Sequence, residues 1–349
     1  GNVMAKEYDL VVLGGGPGGY VAAIRASQLG LKTAIVERQK LGGTCLHKGC
    51  IPSKALLRSA EVFQQTKKSL EFGVVASGVS LDFIKVQERK NRIVDTLHKG
   101  IEHLMKKGKI DVYHGTGRIL GPSIFSPMPG TISVEMNDGT ENEMLIPGNI
   151  IIATGSRPKS LPGLTIDGTH VITSDEALSM ETLPKSILIV GGGVIGIEWA
   201  SMLSDFGVEV TVIEYAPVIL PTEDEEVSRE MQRQLKKKKV TVITGAKVNP
   251  DSIEISGDVS LKAEVKGTEK TFTAEKVLVS VGRRANTEGI GLENTDIQVE
   301  NGYIVTNDYC QTKEQHMYAI GDCIGGLQLA HVASHEGLTA VEHIAGLSP

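Results

Sequence analysis

The feature that most constrains this chain is a repeat. "YDLVVLGGGPGGYVAAIRASQLGLKTAIVE" (8–37) and "KSILIVGGGVIGIEWASMLSDFGVEVTVIE" (185–214) align without a gap at an offset of 177. Gly14, Gly16, Gly19, Gly30 and Glu37 fall on Gly191, Gly193, Gly196, Gly207 and Glu214. Each copy reads as a β-branched apolar strand, a glycine turn, a helix and a second apolar strand ending in glutamate. One glycine triad is a weak signal, but two matched in this context are a strong one.

The spacing has a physical reason. The first glycine permits the tight turn out of the strand, the second lets a pyrophosphate approach the backbone, and the third lets the helix pack closely on the sheet. The phosphates then lie at a helix N-terminus, where unpaired amides and the dipole favour negative charge. Glu37 and Glu214 are placed to accept hydrogen bonds from a ribose diol. Glu214 repels a 2'-phosphate and no arginine follows it in "VIEYAPV", which favours NAD over NADP at the second site. Two dinucleotide sites in one chain imply transfer between two cofactors.

At 349 residues the chain fits about two domains. Its 40 glycines suit many tight turns, and a net charge of -6 argues against nucleic acid as the main partner. The acid-to-base segment "EDEEVSREMQRQLKKKK" reads as a solvated helix. No apolar run approaches the length of a membrane span and no signal peptide is visible, so a cytoplasmic location is expected. Gly1, Asn2 and Val3 ahead of Met4 read as a cloning remnant.

Between the repeats, residues 55–104 read as helices and 109–155 as short strands with turns; after the second repeat come another strand-rich stretch, "HMYAIGDCIGG" and a terminal helical pattern. The expected domains are 4–150, 151–280 and a return to the first domain over 281–349. The segment "GGTCLHKGCIPSK" carries Cys45 and Cys50, two of only four cysteines. A structural bridge, a metal site and a redox pair are each compatible with that spacing; a reducing compartment favours the latter two.

The motifs "GGGPGGYVAA", "GGTCLHKGCIPSKALL", "ATGSRP", "GGGVIGIEWA", "VGRRANTEG" and "AIGD" occur in an order that resembles the pyridine-nucleotide disulfide oxidoreductases, and within them the branch that oxidises dihydrolipoamide. The resemblance runs from Tyr8 to Gly346. It implies an α/β fold of two Rossmann-like FAD/NAD(P)-binding domains in three-layer ββα form. It implies FAD on Gly14, Gly16, Gly19 and Glu37, with Gly43, Thr44 and Lys54 near the flavin, Gly117, Gly155 and Asp322 along the cofactor, and Ala330 approaching the ring. NAD is implied on Gly191, Gly193, Gly196 and Glu214, with Val248 against the adenine and Gly282 and Arg283 nearby. Glu198 resembles the family's partner of Lys54, and Ala285 stands where the family often has proline.

On this resemblance Cys45 and Cys50 form a redox disulfide: Cys45 exchanges with the substrate dithiol and Cys50 passes electrons to the flavin. A metal site would need more ligands than this pair, with His47 a single candidate. Pro52 is consistent with a first helical turn at "IPSKALL". The implied reaction is NAD+-dependent oxidation of protein-bound dihydrolipoamide. The implied partners are the lipoyl domain of the acyltransferase in 2-oxo acid dehydrogenase complexes and, in the full-length protein, a second copy in a homodimer. The alternatives are a mercuric or other disulfide-type reductase, or an inactive cofactor-binding fragment.

One departure stands out. Relatives continue into a C-terminal interface domain that supplies a histidine base to the partner subunit, and no "HPT"-like motif occurs here. His331, His335 and His343 do not match that base. The expectation is a truncated chain of little activity, since loss of acid–base help alone costs about 10²- to 10⁴-fold in rate.

Overall fold

The computed structural model describes residues 5–123, 127–326 and 328–347. The proposed cloning remnant and Met4 lie outside them. In chain order the first elements are β1 (Ala5–Leu13), α1 (Pro17–Gln28), β2 (Thr33–Glu37), α2 (Gly43–His47), α3 (Cys50–Lys67), α4 (Phe83–Lys107), β3 (Asp111–Ile119), β4 (Ile132–Met136) and β5 (Glu143–Ile152).

The chain divides into two compact units. The first comprises residues 1–49, 94–157 and 284–349, and the second 50–93 and 158–283. The expected continuous segment 4–150 is therefore split, with 50–93 in the second unit. The reason is burial: Leu56 and Ala60 of α3 and Val86 of α4 share a core with Trp199, Leu203 and Phe206. A fully buried leucine stabilises by about 1.5–3 kcal/mol, which is a strong anchor for a helix whose other face is polar.

In the first unit, β1 lies parallel to both β2 and β5, β2 parallel to β3, and the strand Met317–Ala319 parallel to β5. β4 pairs antiparallel with the far ends of β3 and β5. The parallel strands are buried on both faces, as sheets covered on two sides require, so Val11, Val12, Ile151 and Ile152 are wholly inaccessible. α1 packs against the helix Ala330–Ile344. There Gly18 and Gly337 face each other, and a Cβ at Gly337 would meet Gly18 O at 2.6 Å.

The second unit has three layers. A five-stranded parallel sheet runs in the order Thr241–Ile243, Glu209–Ile213, Ser186–Val190, Lys276–Val279, Val171–Ile172. On one face lies the helical core built on Trp199 and Phe206. On the other, Leu188, Val190, Val277 and Val279 pack on Val259, Leu261 and Ala263 of an antiparallel meander of Ala246–Ser256, Asp258–Val265 and Thr268–Ala274. This is the ββα layering implied by the motifs. The charged segment forms the helix Glu225–Lys237, capped by Asp224 accepting from the Glu226 amide at 2.8 Å.

Candidate functional site

The two glycine turns are built alike. β1 and the strand Ser186–Val190 each end on a glycine at positive φ, Gly14 at 108° and Gly191 at 115°. A Cβ there would stand 2.0 Å from Ala153 O and 1.9 Å from Ser280 O, so only glycine passes beneath the neighbouring strand end. The third glycines, Gly19 and Gly196, sit inside their helices, where a Cβ would fall 1.9 Å and 2.2 Å from the carbonyl oxygens of Gly14 and Gly191.

The second glycines differ in kind. Gly16 and Gly193 are the N-caps of α1 and of the helix Val194–Asp205. A Cβ on Gly193 would meet nothing within 4 Å, and one on Gly16 only Gly43 Cα at 3.8 Å. Turn, close packing and open approach thus fall on the glycines that the spacing assigned to them. Each turn presents backbone toward open space at a helix N-terminus, the cradle a pyrophosphate fits. A dinucleotide pyrophosphate fits each of the two sites on that observation.

The glutamates have a second task that the spacing did not reveal. Glu37 accepts from the Gly15 and Gln39 amides at 3.3 and 3.2 Å, and Glu214 from those of Gly192 and Ala216, both at 2.8 Å. Each carboxylate therefore braces its glycine turn from within. Burial pushes the Glu37 carboxyl above its usual range, against the amides that lower it.

A second cluster in the first unit surrounds Thr154 and Gly155. Gly155 has φ 71° and no atom within 4 Å of a notional Cβ. Asn286 donates from its backbone to Gly155 O at 2.9 Å and from its side chain to Thr154 O at 3.0 Å; its own carbonyl accepts from the Thr154 hydroxyl at 2.6 Å. Arg157 donates to Asn286 Oδ1 at 2.7 Å. Asp322, in the short helix Gly321–Ile324, accepts from the buried Ser156 hydroxyl at 2.6 Å, and Glu336 accepts from the Gly321 amide at 2.9 Å. Ser156 and Asn286 lie within the quoted motifs "ATGSRP" and "VGRRANTEG" but were given no role there, and Glu336 falls in no motif. Gly117 is enclosed, with Leu13 Cδ2 at 2.9 Å from a notional Cβ, and Ala330 opens the terminal helix.

Cys45 lies half-buried on α2 and Cys50 exposed at the start of α3, with buried Pro52 in the first turn of that helix. Burial and the neighbouring Cys45 raise the Tyr20 hydroxyl above its usual range. In the second unit Lys54 and Glu198 are exposed on α3 and on the helix Val194–Asp205, which pack together. No ion pair within 4.0 Å joins them. Adjoining atoms partly enclose the Glu198 carboxyl and push it up. Val248 packs at the edge of the meander core, Gly282 accepts from the Lys159 amide at 3.1 Å, and Arg283 begins the strand Arg283–Ala285.

Residues 8–337 match the family model described as pyridine nucleotide-disulphide oxidoreductase. The dihydrolipoyl dehydrogenase of Bacillus subtilis is 71% identical over 99% of this chain and 73% of its own length. That of Acholeplasma laidlawii is 43% identical over 98% of this chain and 97% of its own length. Among solved structures, LpdA from Mycobacterium tuberculosis superposes with a TM-score of 0.87 at 25% identity, covering 99% of this chain and 74% of that one. The HOCl-induced flavoprotein disulfide reductase RclA of Escherichia coli gives 0.82 at 26%, covering 98% and 72%.

Proposed function

Because the chain belongs to the pyridine nucleotide-disulphide oxidoreductases, we propose that Cys45 and Cys50 are its redox pair, with FAD on the first glycine turn and NAD on the second. Its activity is that of a dihydrolipoyl dehydrogenase, an oxidoreductase acting on a sulfur group. The observation that carries the assignment of sites is the doubled turn: the same open second glycine, at Gly16 and at Gly193, in two units of one chain.

In this reading the pair rests as a disulfide. One thiolate of the substrate dithiol attacks the Cys45 sulfur, the Cys45–Cys50 bond breaks, and Cys50 leaves as a thiolate. The second substrate thiolate attacks the mixed disulfide, which releases the cyclic disulfide product and returns the electron pair to Cys45 as a second thiolate. FAD, when bound, relays that pair to NAD+. The chain's own part is placement. Gly16 and the α1 N-terminus hold one pyrophosphate, Glu37 its ribose, and Asp322, fixed by Ser156, the adjoining polar stretch. Gly193 and Glu214 do the same for NAD, and Glu214 disfavours a 2'-phosphate. Lys54 and Glu198 are assigned to the neighbourhood of the flavin, with Gly43, Thr44, Gly117, Gly155 and Ala330 along the FAD and Val248, Gly282 and Arg283 along the NAD.

The substrate in this proposal is the lipoyl group of a 2-oxo acid dehydrogenase complex, in the cytoplasm, with a homodimer as the working assembly. The test is an anaerobic visible spectrum of the FAD-loaded chain before and after one equivalent of NADH. A long-wavelength thiolate-to-flavin band is expected, and its loss in Cys50→Ser but not in Cys45→Ser assigns the two sulfurs. No band in the unsubstituted chain despite bound flavin refutes the redox pair. Faster reduction by NADPH than by NADH would favour another reductase of the family.

A further inference from the structure

One carbonyl oxygen beside the thiol-bearing helix is held by two histidines. His47 Nε2 lies 2.8 Å and His98 Nδ1 2.9 Å from Leu41 O, and their rings meet edge-on at 5.1 Å between centroids. A carbonyl can only accept, so both nitrogens carry hydrogen and both rings donate. His98 presents its other nitrogen to Glu102 at 3.3 Å. Both residues lie on α4, one helical turn apart.

What the carbonyl belongs to gives the pair its meaning. Leu41 is buried and opens the short path that ends on Cys45. Gly42 and Gly43 follow it at φ 106° and 64°. The Gly42 amide donates to Gly15 O at 2.8 Å, inside the first glycine turn. Two consecutive left-handed glycines have little conformational resistance of their own. The segment is therefore held by its hydrogen bonds, at Gly15 O, at Lys40 O, which accepts from the Gly43 amide at 3.2 Å, and at Leu41 O.

We propose that His47 and His98 are positioning residues for Cys45: together they clamp the Leu41 carbonyl and so fix the glycine pair and the start of α2 that carries the thiol. Neither touches a reacting atom in this assignment. The inference takes from the proposed function only the choice of Cys45 as the reacting sulfur.

The test is the alkylation rate of Cys45 relative to Cys50 by iodoacetamide. It is read by peptide mass spectrometry on the reduced, FAD-loaded chain, and it needs no turnover. Cys45 is half-buried, so a loosened segment exposes it. His47→Leu and His98→Leu are each expected to raise the ratio between about twofold and tenfold, the opening set by one lost hydrogen bond. His47→Gln places an amide N–H at the Nε2 position and His98→Asn at the Nδ1 position. Both are expected to stay within twofold of the original ratio. The length-swapped amides, His47→Asn and His98→Gln, have the same chemistry but miss the carbonyl, and should behave like leucine. They keep the test open if a leucine variant does not fold. A ratio unchanged in the leucine and length-swapped variants overturns the proposal, as does an equal rise in matched and mismatched amides. Absence of lipoamide oxidation in the unsubstituted chain, with these ratios as expected, would count against the proposed function and leave the clamp standing.

Discussion

Replacing Gly193 and Gly196 by alanine, one at a time, separates binding from folding within one turn. At Gly196 the new Cβ would stand 2.2 Å from Gly191 O, with Ile189 Cγ2 at 3.4 Å. Real contacts of that kind do not fall below 3.0 Å, so the helix must withdraw by most of an ångström from the strand end. Overpacking of this sort costs about 1–3 kcal/mol, and alanine's better helix propensity returns up to about 1 kcal/mol. A net loss of about 1–2 kcal/mol lowers the melting temperature by about 3–8 °C for a unit of this size. At Gly193 the backbone sits at φ −79° and ψ −174°, which alanine adopts freely, and the Cβ meets nothing. Stability of the ligand-free chain should therefore hold to within about 0.5 kcal/mol. In the complex the same methyl occupies the pyrophosphate's place, and overpacking of about 1–3 kcal/mol weakens NADH binding roughly 5- to 150-fold. Thermal melts without ligand and fluorescence titrations with NADH read the two effects. If Gly193→Ala melts as low as Gly196→Ala and still binds NADH normally, the assignment of the cradle is wrong.

Glu214→Ala removes the acceptor of two 2.8 Å amide bonds as well as the proposed ribose contact, so NADH affinity should fall about tenfold, two hydrogen bonds' worth, and the proposed preference over NADPH should narrow in parallel titrations. Glu37 has a raised folded pKa, so its contribution to stability is full below the ordinary carboxylate pKa and declines as pH rises through the folded value. The melting temperature of Glu37→Gln relative to the unsubstituted, ligand-free chain should accordingly climb between pH 4 and neutrality; a constant difference refutes the burial argument. Phe206→Ala, in the second unit's core to which α3 and the start of α4 contribute, should cost about 3–5 kcal/mol by denaturant titration. Ser156→Ala frees Asp322 and is expected to weaken FAD binding severalfold without moving the melt of the ligand-free chain by more than a few degrees.

What the sequence disclosed follows from periodicity. The glycine triads were legible because three demands on one turn fall at fixed spacing, and each glycine meets its own demand in the structure. The spacing placed the glutamates at the strand ends and suggested a ribose contact, but it did not show their bracing of Gly15 and Gly192, since a side-chain bond to a turn amide leaves no mark on a pattern. Residues 55–104 read correctly as helical. That Leu56, Ala60 and Val86 bury against Trp199 depends on contacts more than a hundred residues apart, which no local pattern carries. The clusters around Asn286 and around Leu41 O are of the same kind: motifs such as "ATGSRP" and "VGRRANTEG" marked some of their members, but not which side chains meet across the fold.

The strand Met317–Ala319 pairs with Ile150–Ile152, and all of the second unit lies before it in the chain. On a ribosome, therefore, the sheet begun by β1 waits for its last parallel strand until every residue of the second unit has been made. Closing so long a loop is costly in entropy while the intervening chain is loose, and far less so once that chain has collapsed into a folded body. The unit that starts second is thus the one able to finish first. Refolding experiments on the whole chain should find the second unit's sheet protected from hydrogen exchange before the first unit's edge strand.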